Sequence, residues 1–116
     1  MTAPHEMYRR LRKLLEYQGG FYTIEDILQL IQEGKMQSFA KGDTWVVTQV
    51  HEFPRKKVLD IVFVIGEITD LHELEPQLEA FKQEIGADAM TATGREGWLR
   101  RAFKGWKVHS VNLVKV

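Results

Sequence analysis

The chain has 116 residues, with 16 Lys plus Arg against 16 Asp plus Glu, so its formal net charge is zero. That length predicts a single domain, large enough to bury a core without disulfides or metals. The charge balance disfavours a general nucleic-acid binder and an acidic disordered tail. The absence of Cys excludes a disulfide framework, Cys-ligated zinc and thiol catalysis. The apolar run around Ile61–Ile65 is too short to cross a bilayer, and Met1–Arg12 is polar and basic, unlike a secretory leader. The expectation is a folded domain in the cytoplasm, with no membrane contact.

In chain order, Met7, Leu11, Leu14 and Leu15 recur at helical spacing and predict a helix over His5–Tyr17, stopped by Gly19-Gly20. Thr23 is the expected N-cap of a second helix. Glu25 and Asp26 sit in its first turn, Ile24, Ile27, Leu28 and Ile31 form its apolar stripe, and Gly34 ends it. Met36–Ala40 reads as a short strand, Lys41-Gly42-Asp43 as a hairpin turn, and Thr44–Phe53, rich in Val, Thr and Trp, as a second strand. Phe53-Pro54-Arg55-Lys56 is the next turn. Lys57–Ile65 is apolar on both faces, as a central strand covered on both sides would be.

Leu71, Leu74, Leu78, Phe81 and Ile85 share one face of a long helix that Gly86 stops. Pro76 within it predicts either a kink or a regular helix that starts near Glu75. Asp88–Thr93 is expected as a strand, Arg95–Lys104 as a short helix, and Trp106–Val114 as the last strand. The strand–helix–strand unit implies a parallel pair, and the rest reads as antiparallel. The predicted class is α/β: a single domain with a mixed, mostly antiparallel sheet and helices on both faces.

Asp60 is the sharpest polar anomaly, a carboxylate inside a buried strand. Such a group is costly unless paired or protonated. It reads either as a general base or as a strand residue paired with Arg or Lys. His51 and Glu52 on the neighbouring strand point to opposite faces, so one of them can approach Asp60 if the register allows. The alternative for both is a solvent-facing position near the turn. His5, His72 and His109 have no metal-ligand spacing, so no metal site is expected. Ser38 and Ser110 lack a nucleophile-elbow context.

Arg95, Arg100, Arg101, Lys104 and Lys107 form a basic stretch that suits either ligand phosphates or the solvated face of a helix. Arg9, Arg10, Arg12 and Lys13 form a second basic cluster. Trp45, Trp98 and Trp106 are core residues by default, and interface residues wherever they are exposed.

The order of elements, with the string Gly94-Arg95-Glu96-Gly97-Trp98-Leu99-Arg100-Arg101-Ala102-Phe103-Lys104-Gly105-Trp106, resembles the GNAT superfamily of N-acyltransferases. It is similar in particular to small GNAT-like proteins carried by tailed bacteriophages. The likeness covers about Thr23 to Val116. It implies acetyl transfer from acetyl-CoA to an amine, with Asp60, His51 or Glu52 as base and backbone amides near Phe63, Val64, Ile65 and Gly66 along the pantetheine arm. Arg95 would then lie near the phosphates. The chain departs from the family at the pyrophosphate loop. Gly66-Glu67-Ile68-Thr69-Asp70-Leu71 has one Gly and no base, and Glu67 and Asp70 repel an anion. The family's late-helix Tyr is also missing, since Tyr occurs only at Tyr8, Tyr17 and Tyr22. The alternative is a non-enzymatic phage protein of this fold, acting in binding, virion structure or assembly through an unknown protein partner, in the cytoplasm of a bacterium or a phage-infected host. No oligomeric state is specified by the pattern.

Overall fold

A computed structural model describes residues 4–94, 96–108, 113 and 115. Its four strands stand side by side in chain order: β1 (Gln37–Lys41), β2 (Thr44–Glu52), β3 (Lys57–Ile65) and β4 (Ala89–Ala92). β1 and β2, then β2 and β3, pair antiparallel, and β4 joins β3 parallel. The helices are α1 (Pro4–Tyr17), α2 (Ile24–Gln32), α3 (Ile68–Ile85) and α4 (Glu96–Ala102). The mixed sheet and the parallel crossover through α3 are as the sequence predicts.

Alternation along the strands divides the core into two layers. On one face Val47, Phe63 and Ile65 pack with Leu11 and Leu15 of α1 and Ile24 and Ile27 of α2. On the other, Val46 and Ile61 meet Leu71, Leu74 and Leu78 of α3, together with Ala102 and Phe103 at α4. Each such side chain taken fully out of water contributes about 1.5–3 kcal/mol. α2 opens with a capping box: the Asp26 N–H donates to Thr23 Oγ1, and the Thr23 N–H donates to Asp26 Oδ2 at 2.9 Å. α3 ends at Gly86, whose φ of 69° is the left-handed conformation that closes a helix at little cost to glycine.

The return from α3 to β4 is pinned at its base. The Lys57 N–H donates to Asp88 Oδ2, the Asp88 N–H donates to Lys57 O, and Lys57 Nζ donates to Ile85 O. These contacts set Val58 opposite Ala89 and Asp60 opposite Thr91.

Two expectations are corrected. α3 runs from Ile68 to Ile85 with Pro76 inside it, so the regular helix does not wait for Glu75. Pro76 is exposed, and the buried leucines on either side hold the helix to the sheet across the missing amide bond. Trp106–Val108 is irregular chain rather than the start of a strand; the rest of that predicted strand, apart from Leu113, lies outside the described residues. Trp106 instead lies on Phe103, with ring centroids 4.6 Å apart.

Candidate active site where two strands part

The β2–β3 register slips between Val47 and Thr48: Val47 is opposite Phe63 but Thr48 is opposite Ile61, so Val62 is an extra residue in β3. An inserted residue of this kind bends the strand and disrupts the ladder locally. Its effect is visible in the side chains. Ile61 belongs to the α3 layer, whereas Val62 and Phe63 both pack on the α1–α2 layer. β4 pairs with β3 only from Val58 to Ile61, and the last bond between them runs from the Thr93 N–H to Ile61 O. Beyond the bulge, Val62–Ile65 keep β2 on one side, and among the described residues no strand lies on the other. Strand edges of this kind hold backbone donors and acceptors that an extended ligand can meet.

Two residues before the bulge, about 7 Å along the strand, stands Asp60. Its side chain is only 16% exposed and it carries two different neighbours. Thr91 Oγ1 donates to Asp60 Oδ1 at 2.7 Å. His51 Nε2 lies 3.7 Å from Asp60 Oδ2, too far for a direct hydrogen bond. One oxygen is thus fixed, and the other is oriented toward an imidazole that is 40% exposed. His51 is diagonal to Asp60, since its register partner is Val58. Its ring also lies against Phe53, with centroids 6.0 Å apart.

Of the residues singled out in the sequence, Asp60 and His51 are brought together. Glu52 is not: it is exposed and pairs with Lys57 Nζ at 3.4 Å. The alternative partners for Asp60, Arg or Lys, are replaced among the described residues by Thr91 and His51. The side chains of Phe63 and Ile65 are core, and Val64 is half-buried against the α3 layer, so only their backbone can meet a ligand. Gly66 has a structural reason to be glycine. Its φ is 125°, and a Cβ there would come within 2.4 Å of Thr44 Oγ1 and 2.6 Å of Asp43 O. Arg95 lies outside the described residues.

Two residues escaped the sequence reading. Thr91 holds Asp60 from a strand 31 residues further on. Thr44, wholly buried, receives the Glu67 N–H at 2.8 Å on its Oγ1 and donates to Asp70 Oδ2 at 3.1 Å. A Thr in a Val-rich strand reads as ordinary β-propensity, so neither carries a local signal.

His72 Nε2 contacts Ala102 O at 2.9 Å and joins α3 to the end of α4, a structural use. Two shallow depressions, of about 590 and 310 Å³, lie against α2 around Glu25, Leu28, Gln29 and Phe21, away from Asp60. Among the described residues no group of three or more His, Asp or Glu side chains is placed to hold a metal, and no helix is long and apolar enough to cross a membrane.

Among the described residues, the four-stranded mixed sheet between two helical layers, with one parallel pair, has the fold of solved acetyltransferase structures. Solved structures carry the same arrangement. An aminoglycoside acetyltransferase from an uncultured soil metagenomic sample, crystallised with trehalose, superposes with a TM-score of 0.61 at 13% identity, over 99% of this chain and 92% of that one. A protein described as a probable acetyltransferase gives 0.62 at 8% identity, over 99% and 97%. A point mutant of the protein TTHA1254 from Thermus thermophilus gives 0.61 at 15% identity, over 100% and 97%. No protein-family model and no curated protein matches the sequence.

Proposed function

We propose that this protein is an N-acyltransferase that moves an acyl group, acetyl in the simplest case, from a pantetheine thioester to an amine, with Asp60 as general base. The observation that carries the reading is the position of the Thr91-held carboxylate immediately before the stretch Val62–Ile65, where β3 loses its β4 partner. The fold shared with acetyltransferase structures supports it.

The donor implied by the fold, acetyl-CoA, has two ends that fit this chain differently. The edge of β3 beyond Ile61, which has no β4 partner among the described residues, suits the amides of a pantetheine arm. The start of α3 does not suit a diphosphate, because Glu67 and Asp70 stand there.

The donor supplies an activated acyl carbon and a thiolate leaving group. The chain supplies position and a proton acceptor. Thr91 fixes one Asp60 oxygen so that the other, Oδ2, can take a proton from the amine as its nitrogen bonds to the acyl carbon. The carbon–sulfur bond breaks and its electron pair leaves on the sulfur. His51, partly exposed and 3.7 Å away, would pass the proton from Asp60 to solvent once its ring closes to hydrogen-bond distance.

The test is thiol release from acetyl-CoA and S-acetylpantetheine with a panel of primary amines that includes the aminoglycoside sisomicin, bound in one of the similar structures. The chain has no Cys, so every thiol detected comes from the donor. Asp60→Asn is expected to lower kcat by about 10²–10⁴-fold with the thermal midpoint nearly unchanged. An unchanged kcat removes Asp60 as base.

A second reading is favoured by the acidic start of α3 and by Trp106, 39% exposed over Phe103: a non-enzymatic protein of this fold that binds a protein partner through that aromatic pair. Absence of transfer from either donor supports it.

A further inference from the structure

We infer that Asp70 is a built-in anion at the start of α3, and that recognition of the thioester donor stops at its pantetheine arm, leaving the nucleotide diphosphate unread. The inference rests on the acyltransferase reading above.

The amino end of a helix carries partial positive charge and unpaired amides, and these make it an anion site. α3 is a long helix of 18 residues with an N-cap, Glu67, whose side chain makes no capping bond. The place is already served from within. Asp70, in the first turn, receives the Thr44 hydroxyl at 3.1 Å, and that same hydroxyl accepts the Glu67 N–H at 2.8 Å. Thr44 is fully buried and begins β2, so the carboxylate is tied to the sheet rather than free to swing away.

The approach is narrow as well. A Cβ on Gly42 would meet Asp70 Oδ2 at 3.1 Å, and one on Gly66 would meet Thr44 at 2.4 Å, so the β1–β2 turn closes over the carboxylate and the β3–α3 turn over Thr44. Lys41, next to Gly42 in the chain, is engaged by Glu73 Oε2 at 2.9 Å. A diphosphate brought here meets a fixed carboxylate beside the helix amides. The strand edge at Val62–Ile65, which would read the pantetheine amides, lies outside this closure.

Calorimetric titration of the whole chain with CoA, with pantetheine, and with adenosine 3′,5′-bisphosphate tests this. Wild type is expected to bind CoA and pantetheine with affinities within about threefold of each other, and the bisphosphate not at all. Asp70→Asn removes the charge and keeps the shape. It is expected to tighten CoA about tenfold while leaving pantetheine unchanged. Glu67→Gln, on an exposed side chain, is the companion variant should Asp70→Asn fold poorly, with a smaller gain in the same direction. Wild-type binding of CoA more than about tenfold tighter than pantetheine overturns the inference and leaves the acyltransferase reading standing, and so does an Asp70→Asn affinity for CoA equal to wild type. Binding of neither CoA nor pantetheine overturns the reading itself, and the inference falls with it.

Discussion

Asp60 and Asp70 lie ten residues apart, one on β3 and the other at the start of α3, and each accepts a hydrogen bond from a threonine hydroxyl on a neighbouring strand. Around Asp70 the chain closes. Thr44 bonds it from beneath, the helix amino end balances its charge, and the β1–β2 turn leaves little room above. Around Asp60 the chain opens. Thr91 holds one oxygen, the other is aimed at a partly exposed His51, and the strand beside it stops at Ala92. The same pairing of side chains therefore forms a sealed joint in one region and, in the function proposed above, holds a proton acceptor in the other. What separates them is the backbone: a bulge at Val62, beside the point where pairing with β4 ends, and a glycine at residue 66 that lets two backbones meet.

The sealed region breaks most readily at Gly66. Gly66→Ala puts a Cβ into contact with the Thr44 backbone at a φ of 125°, where neither side can retreat. A loss of about 3 kcal/mol or more is expected in urea denaturation. Stability within about 0.5 kcal/mol of wild type, the range of an ordinary surface substitution, would show that the joint yields. That result would remove the rigidity on which the reading of Asp70 depends.

The contrast between the threonines gives the next effect. Thr44→Val deprives the Glu67 N–H and the Asp70 carboxylate of their shared partner, so about 1–3 kcal/mol of stability is lost. Thr91→Val removes a single bond to a half-buried carboxylate, and costs about 0.5–1.5 kcal/mol. Its larger consequence is expected in kcat, through a carboxylate no longer held in place. Equal destabilisation by the two valines, with no change in rate for Thr91→Val, would erase the distinction between joint and site.

Much of the scaffold is legible in the sequence because it is written in local periodicity. The 3-4-3-4 spacing from Leu71 to Ile85 marks α3, the nearly all-apolar run Val58–Ile65 marks a central strand, and Thr23 with Asp26 marks a helix start. Asp60 stood out as a charge inside an apolar run. The bulge did not, because it exists only as a count across two strands, two residues against one, and neither strand alone reveals it. Thr91 and Thr44 were hidden for a related reason: each acts on a carboxylate 26 or 31 residues distant, and hydroxyls in strands carry no pattern. Pro76 left two readings open, and the one that starts the regular helix near Glu75 is excluded. A strong local rule against proline in helices was overridden by Leu71, Leu74 and Leu78 buried on the sheet. His51 and Glu52 were separated correctly by strand alternation, and the register then gave Asp60 to His51 and Lys57 to Glu52.

The central claim is that the parting of β3 and β4 receives an acyl-bearing pantetheine arm next to Asp60. Its most direct measurement is the backbone amide spectrum of isotope-labelled protein titrated with pantetheine. The account predicts saturable shifts at Val62, Phe63, Val64 and Ile65, with Asp60 and Thr91 moving alongside and the amides of α2 still. Shifts confined to the depression around Glu25, Leu28 and Gln29, or none at all, would contradict it.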